Sequence, residues 1–337
     1  MYFCIRRYGD LSNVPKKSPF YFVKQALKYI LRIAFPLVLA AVILHWMYRG
    51  VDWGAVWAAL EGGMNWWWMA FSLVFGVTAQ LFRGLRWKQT LEPLGENPRT
   101  STCVHAVFLS YAASLTIPRI GEVTRCGVLT KYDGTSFSKS LGTVVTERII
   151  DSILVLSITA AVFLSQAKVF YNFFEETGTN LTEWAAKFTA TGYIVTAMCL
   201  VALGILAFML IRKLAIFARI RETIKGIKEG VMSLKDVKNK TLFTAYTLGI
   251  WVSYFLHYYI TFFCFDFTCG LGLNVALVSF VVGSIAVIVP TPNGMGPWHF
   301  AVKTILVLYG VEVTNAETFV IIVHTIQTAL IPLLGIF

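Results

Sequence analysis

Long apolar runs separated by short polar stretches dominate the chain. Windows near residues 29–48, 66–82, 142–165, 192–211, 242–265 and 319–337 approach or exceed the length needed to cross a hydrocarbon core, about 20 apolar helical residues. Backbone polar groups in lipid must be satisfied within their own segment, so each run is predicted to be a helix. Two further apolar stretches, 101–117 and 275–310, are interrupted by proline and glycine. The pattern predicts an all-α polytopic membrane protein with about six full crossings and two broken helical segments.

Composition sharpens this reading. The 337 residues are 57% hydrophobic and 14% charged, with a mean hydropathy of +0.67, too little polar surface for a soluble domain. The basic segment 1–28 is too long and polar for a secretory leader, so 29–337 is expected to be one membrane domain with its first helix retained. The six cysteines show no paired spacing and read as small core residues, and no cofactor or metal is expected. Asn180-Leu181-Thr182 matches a glycosylation sequon, a weak signal by itself.

The net charge of +11 could suggest a nucleic-acid partner, but its distribution argues otherwise. Basic residues gather before the first span, after the second (Arg83, Arg86, Lys88, Arg99), and in the 212–240 loop. The 49–65 and 166–190 stretches are acidic or balanced. The positive-inside rule then puts the N-terminus and the basic loops in the cytoplasm of a bacterial inner membrane. The 212–240 loop could also bind anionic headgroups.

With the sides fixed, only one full crossing fits between the loop after span two and the 166–190 loop, yet two apolar stretches lie there. The economical solution is a re-entrant hairpin over about 101–128, hinged at Pro118 and Gly121. The same arithmetic makes 275–310 a second hairpin from the opposite side, hinged at Pro290 and Pro292. Paired broken segments in two halves point to an inverted-repeat transporter with a midplane site. Ordinary proline-kinked spans, giving eight crossings, are the alternative.

Charges accompany the first break. Arg119, Glu122 and Arg125 share one helical face at a spacing of three. Glu147 and Asp151, four apart, share another, with Arg148 turned about 100° away. The six charges sum to zero, so they should pair with each other or line a wet cavity, because each costs at least about 2.5–3.5 kcal/mol in lipid. They suit a headgroup carrying phosphate and ammonium; a structural salt-bridge cluster is the alternative. At the second break Asn293, Gly294 and Gly296 allow unusual backbone angles. A helix starting near Trp298 would offer free amides to an anion, with His299 as a titratable neighbour. Trp66, Trp67 and Trp68 read as an interfacial belt. Arg83, Arg86 and Trp87 read as the inner anchor of span two or a gate at the cytoplasmic mouth.

The sequence resembles the lysylphosphatidylglycerol synthase transmembrane-region family, also described as flippase-like. Arg86-Trp87, Pro118-Arg119-Ile120-Gly121-Glu122 with Arg125, Glu147-Arg148-Ile149-Ile150-Asp151 and Pro290-Thr291-Pro292-Asn293-Gly294-Met295-Gly296 carry the likeness. The resemblance implies a polytopic domain that moves a lipid across the inner membrane. No aminoacyltransferase domain is expected, since the chain stops at Phe337. Pro297-Trp298-His299 stands where many relatives place an acidic residue, which leaves the substrate and any proton coupling open.

Three functions follow: a lipid flippase, a membrane-embedded lipid-modifying enzyme, and a partner of a separate lipid synthase or glycosyltransferase. The sequence has no phosphate loop, no His-Glu-x-x-His and no Gly-x-Ser-x-Gly, which favours the flippase over catalysis. Membrane lipids are the expected partners, with a homo-oligomer open.

Overall fold

A computed structural model describes residues 49–116, 120–166, 232–289 and 291–336. The expected spans at 29–48 and 192–211, segment 1–28, the loop beyond residue 166 and most of 212–240 lie outside the described residues, as do Pro118, Arg119 and Pro290. Regular structure among the described residues is helical throughout: α1 (Trp53–Ala58), α2 (Trp66–Leu91), α3 (Thr100–Thr116), α4 (Ile120–Asp133), α5 (Phe137–Ser165), α6 (Lys240–Tyr259), α7 (Asp266–Cys269), α8 (Gly272–Ala286), α9 (Pro297–Leu308) and α10 (Val313–Ile336).

Local chemistry sets several starts. The Asn65 side chain accepts the Trp67 N–H at 3.0 Å to open α2, and Asn239 accepts that of Leu242 at 2.9 Å to open α6. Trp66–Leu94, Phe137–Ser165 and Val313–Gly335 are long and apolar enough to cross a membrane. The expected 242–265 span is a helix only to Tyr259, then tightens into a 3-10 turn to Cys264, and it falls short of the same apolar measure. Trp66, Trp67 and Trp68 are exposed at the start of α2.

Both broken stretches fold back on themselves. In the first hairpin Arg99 ties the base of α3 to Asp133 at the end of α4, Nε to Oδ1 at 2.7 Å. Near the break, Gly121 lies so close to Ser110 that an added Cβ would collide with that residue's carbonyl oxygen. In the second hairpin Gly283 of α8 lies against Trp298 and Val302 of α9. The arms hold 17, 14, 15 and 12 residues. At ~1.5 Å per residue the longest reaches about 26 Å, short of a ~30 Å core.

Small residues let these helices pack closely, as membrane bundles require. Gly84 sits on Val104, Gly76 beneath the His257 ring, Gly249 on Phe82, and Gly335 within 2.6 Å (as a Cβ) of the Phe108 backbone. Helix α3 packs against α2, α10 and the Pro292–Gly294 turn, so the two hairpins meet. One apolar cluster joins Met69, Tyr258, Phe262, Phe265 and Phe319; a second joins Trp87, Leu91, Cys103, Cys126, Leu129 and Val144. Cys103, Cys126 and Cys264 are buried free thiols and Cys269 an exposed one.

Candidate functional site

Helix α5 turns Glu147 and Asp151 inward from successive turns, and three arginines meet them. Asp151 Oδ1 accepts from Arg86 Nη2 at 2.9 Å, and its Oδ2 lies 3.2 Å from Arg83 Nη2. Glu147 Oε2 accepts from Arg125 Nη2 at 2.7 Å, and Oε1 lies 3.7 Å from Arg86 Nε. None of these five side chains is more than 8% exposed. With three cations against two anions, the buried cluster carries a formal +1.

Neighbouring helices complete the shell. Thr247 of α6 accepts a long 3.5 Å bond from Arg86 Nη1. The Arg125 guanidinium lies 4.6 Å over the Trp87 ring, a cation–π contact, and Trp87 Nε1 donates to Thr143 Oγ1 at 2.9 Å. Arg83 faces the Tyr254 ring at 5.7 Å. The Tyr254 hydroxyl lies 3.0 Å from that of Tyr111 and accepts from Gln80 Nε2 at 3.1 Å. Nε and Nη1 of Arg83 have no hydrogen-bond partner among the described residues.

The six charges expected to neutralise one another are sorted differently. Arg125, Glu147 and Asp151 are inside, whereas Glu122 and Arg148 form a separate 2.7 Å pair, 37% and 47% exposed. The inner carboxylates take their remaining cations from α2. Arg83, Arg86 and Trp87, expected as the inner anchor of span two or a gate at the cytoplasmic mouth, are buried in the bundle, because α2 continues to Leu91 and keeps one face inward. Gln80, Tyr111, Thr247 and Tyr254 were not anticipated. For Gln80 alone a stripe at helical spacing, Ser72, Gly76, Gln80, Arg83, Trp87, Leu91, was a readable trace.

The turn at the second break is closed largely by its own groups. Gly294, Met295 and Gly296 spend their amides within the turn: on Thr291 O, Pro292 O and His299 Nδ1 respectively. His299 Nδ1 thus accepts within the turn, next to the helix start expected to offer free amides to an anion. Asn293, at φ 46° the one non-glycine residue with positive φ among the described residues, has its carbonyl bonded by His324 Nε2 at 3.2 Å. The two imidazoles lie 4.3 Å apart.

Polar groups also climb α2 and α6 away from the cluster. His257 Nδ1 lies 2.7 Å from Ser72 O, and Gln327 Nε2 of α10 donates to His257 O at 2.6 Å. From Arg86 to Ser72 this ladder rises about 21 Å along α2 at ~1.5 Å per residue. Among the described residues no group of three His, Cys, Asp or Glu could hold a metal.

The model of the lysylphosphatidylglycerol synthase TM region matches residues 33–335. The chain belongs to this family. Membership and the apolar helices make it an integral membrane protein and tie it to lipid handling. The cluster, both hairpins and the polar ladder all fall within the matched region of the TM-region family. No curated protein matches the chain.

Proposed function

We propose that this protein is a lipid transporter of the bacterial inner membrane, in which a polar headgroup crosses through the interior while the acyl chains stay in lipid. The observation that carries the reading is the buried five-charge cluster with its net positive charge and its half-unpartnered Arg83. Buried ion pairs seldom add net stability over apolar packing, so stability alone does not account for four of them. The ladder from Arg86 to Ser72 covers about 21 Å of a ~30 Å core, which suits a route for a headgroup.

On this reading the two hairpins are re-entrant, since none of their arms is long enough to span. They dip from opposite faces, with the N-terminus cytoplasmic, as the charge bias requires. The exposed tryptophans at the start of α2 mark the outer interface; Arg83 then lies about 26 Å below Trp66, near the inner leaflet's headgroups. Acid–base catalysis fits less well, because arginines engage both inner carboxylates.

The test is reconstitution. Vesicles holding the chain should redistribute a phospholipid between leaflets faster than empty vesicles, and Arg125→Gln should abolish the gain. If no candidate lipid changes its leaflet distribution, the reading is rejected. Cysteines placed at 127 and 134 should label from one side only, the cytoplasmic one.

A further inference from the structure

Two ion pairs join α4 to α5 at the same level, and they run in opposite senses. The inner one sets Arg125 of α4 on Glu147 of α5 at 2.7 Å, fully buried. The outer one sets Glu122 of α4 on Arg148 of α5, Oε1 to Nε at 2.7 Å, with side chains 37% and 47% exposed. Arg148 stands three residues before Asp151, about 4.5 Å nearer the start of α5. Asp151 meets Arg83, which the transport reading sets near the inner leaflet's headgroups, so the outer pair stands at that level too. Beyond it α5 exposes Ile149, Ile153 and Leu156, an apolar surface suited to hydrocarbon.

Each of these four charges has a second partner on its own helix or on α2. Glu122 and Arg125 lie three apart on α4, and Arg148 and Asp151 lie three apart on α5, the spacing of neighbours on a helix surface. Glu147 Oε1 already lies 3.7 Å from Arg86 Nε. If α5 parts from α4 while keeping α2, the two inter-helix pairs give way to Glu122–Arg125, Arg148–Asp151 and Glu147–Arg86. No charge is stranded. Packing identifies the helix that moves. Helix α4 is fixed to α3, where Gly121 lies against the Ser110 carbonyl, and α3 is fixed to α2 and α10 through Gly84 and Gly335. By contrast, only 11% of the apolar stretch of α5 is buried, against 39% for α2 and 50% for α10. Toward the hairpin base the seam turns apolar, with Cys126, Leu129 and Val144 in one cluster, and Lys139 of α5 holds Glu96 at 3.0 Å. The charged end is where the seam can open.

We infer that the α4–α5 seam is the lateral gate of the transport path and that the Glu122–Arg148 bridge is its latch. Exchange of ion-pair partners lets α5 swing from α4 and admits a headgroup from the inner leaflet to the buried arginines. Glu122 and Arg148 are positioning residues, since they act by holding or releasing the two helices. The inference rests on the transport reading and adds its point of entry. Partner exchange also makes the two halves of the latch unequal. Without Arg148 the closed state loses its latch, while Asp151 keeps Arg83 and Arg86. Without Glu122 the same latch is lost, but an Arg125 parted from Glu147 has no carboxylate within a turn of its own helix.

The experiment reconstitutes the full chain in phosphatidylethanolamine–phosphatidylglycerol vesicles. Tail-labelled fluorescent forms of both lipids are followed between leaflets by dithionite quenching, with variants compared at equal folded monomer. Arg148→Gln should speed redistribution by about two- to fivefold, the worth of an exposed pair. Glu122→Gln should slow it by about fivefold or more, because opening then strands Arg125. Glu122→Arg combined with Arg148→Glu rebuilds the latch in reverse, yet its open state sets like charges three apart on both helices. It should therefore run about fivefold below wild type, where a merely structural bridge would be restored. Glu122→Cys with Arg148→Cys, joined by a short bis-methanethiosulfonate linker, should stop redistribution until the linker is reduced, with wild type given the same reagent as control. Single variants that shift the rate in the same direction, a reversed bridge as fast as wild type, or movement through a cross-linked seam overturns the gate and leaves the transport reading standing. A wild type that moves neither lipid sinks the transport reading, and the gate falls with it.

Discussion

Removing the charge of Asp151 tests the logic of the cluster directly. Its two oxygens lie 3.2 Å from Arg83 and 2.9 Å from Arg86. In Asp151→Asn three guanidiniums face Glu147 alone, and the formal charge rises from +1 to +2. Arg86 keeps a 3.7 Å approach to Glu147, but Arg83 keeps no carboxylate within reach among the described residues. Breaking a buried pair from one side typically costs about 3–5 kcal/mol, because an uncompensated charge remains. Arg83→Gln added to that variant removes the orphan and returns the charge to +1, so it should recover about 2 kcal/mol or more. Folded monomer remaining after heating in detergent, followed by gel filtration, reads both effects. The double variant should be stable yet move no phospholipid between leaflets of reconstituted vesicles, which separates folding from transport. A double variant no more stable than Asp151→Asn would refute the charge-balance argument.

Other sites make independent predictions. Gly121→Ala should cost more than the ordinary cavity-free surface change, about 1–3 kcal/mol of overpacking, because its Cβ meets the Ser110 backbone; a yield of folded monomer equal to wild type would contradict the hairpin's close approach. Burial acts to raise the Asp133 pKa, but hydrogen bonds from Arg99 and Thr102 outweigh it and hold the carboxyl below its usual range. Its contribution is therefore present above about pH 3.9 and lost only as pH falls through the lower folded value. Labelling of the hairpin base should thus be unchanged between pH 8 and pH 5, and Asp133→Asn should raise it modestly at both, since an exposed arginine's bridge is worth at most about 1 kcal/mol. Asn293→Ala should melt earlier than Asn293→Gly by about 1–2 kcal/mol, the penalty for a Cβ in the left-handed region; equal melting would mean that this φ is not held.

The sequence made the breaks and the α5 carboxylates legible, because proline, glycine and charge stand out against apolar runs. Glu147 and Asp151 share a face and Arg148 leaves it, as helical spacing requires. Arg83 and Arg86 were harder to place. They follow the apolar window 66–82, so topology alone reads them as anchors; only the continuation of α2 to Leu91 brings them inward. Tyr111, Thr247 and Tyr254 stand 14 to 129 residues away from Arg125 or Glu147 in the chain's order and join the site only through tertiary packing. Their residue types, common in any membrane helix, carried no signal of their own. At the second break glycine and asparagine predicted the positive φ values, but the spacing could not reveal that His299 would take up the Gly296 amide.

The two hairpins, alike in outline, are built for different work. The first carries Arg125 to the cluster and lays Tyr111 beside Tyr254, so its movement would disturb the charges themselves. Among the described residues the second brings no charge to the cluster; its turn is closed by its own amides and two imidazoles. On the transport reading the first hairpin governs the headgroup. A headgroup cannot leave Arg83 without Asp151 recovering that cation's full attention, which favours the empty state by the same interaction that filling it weakens. A site that must release what it binds needs that competition, and a receptor built only for tight retention would have left Asp151 out.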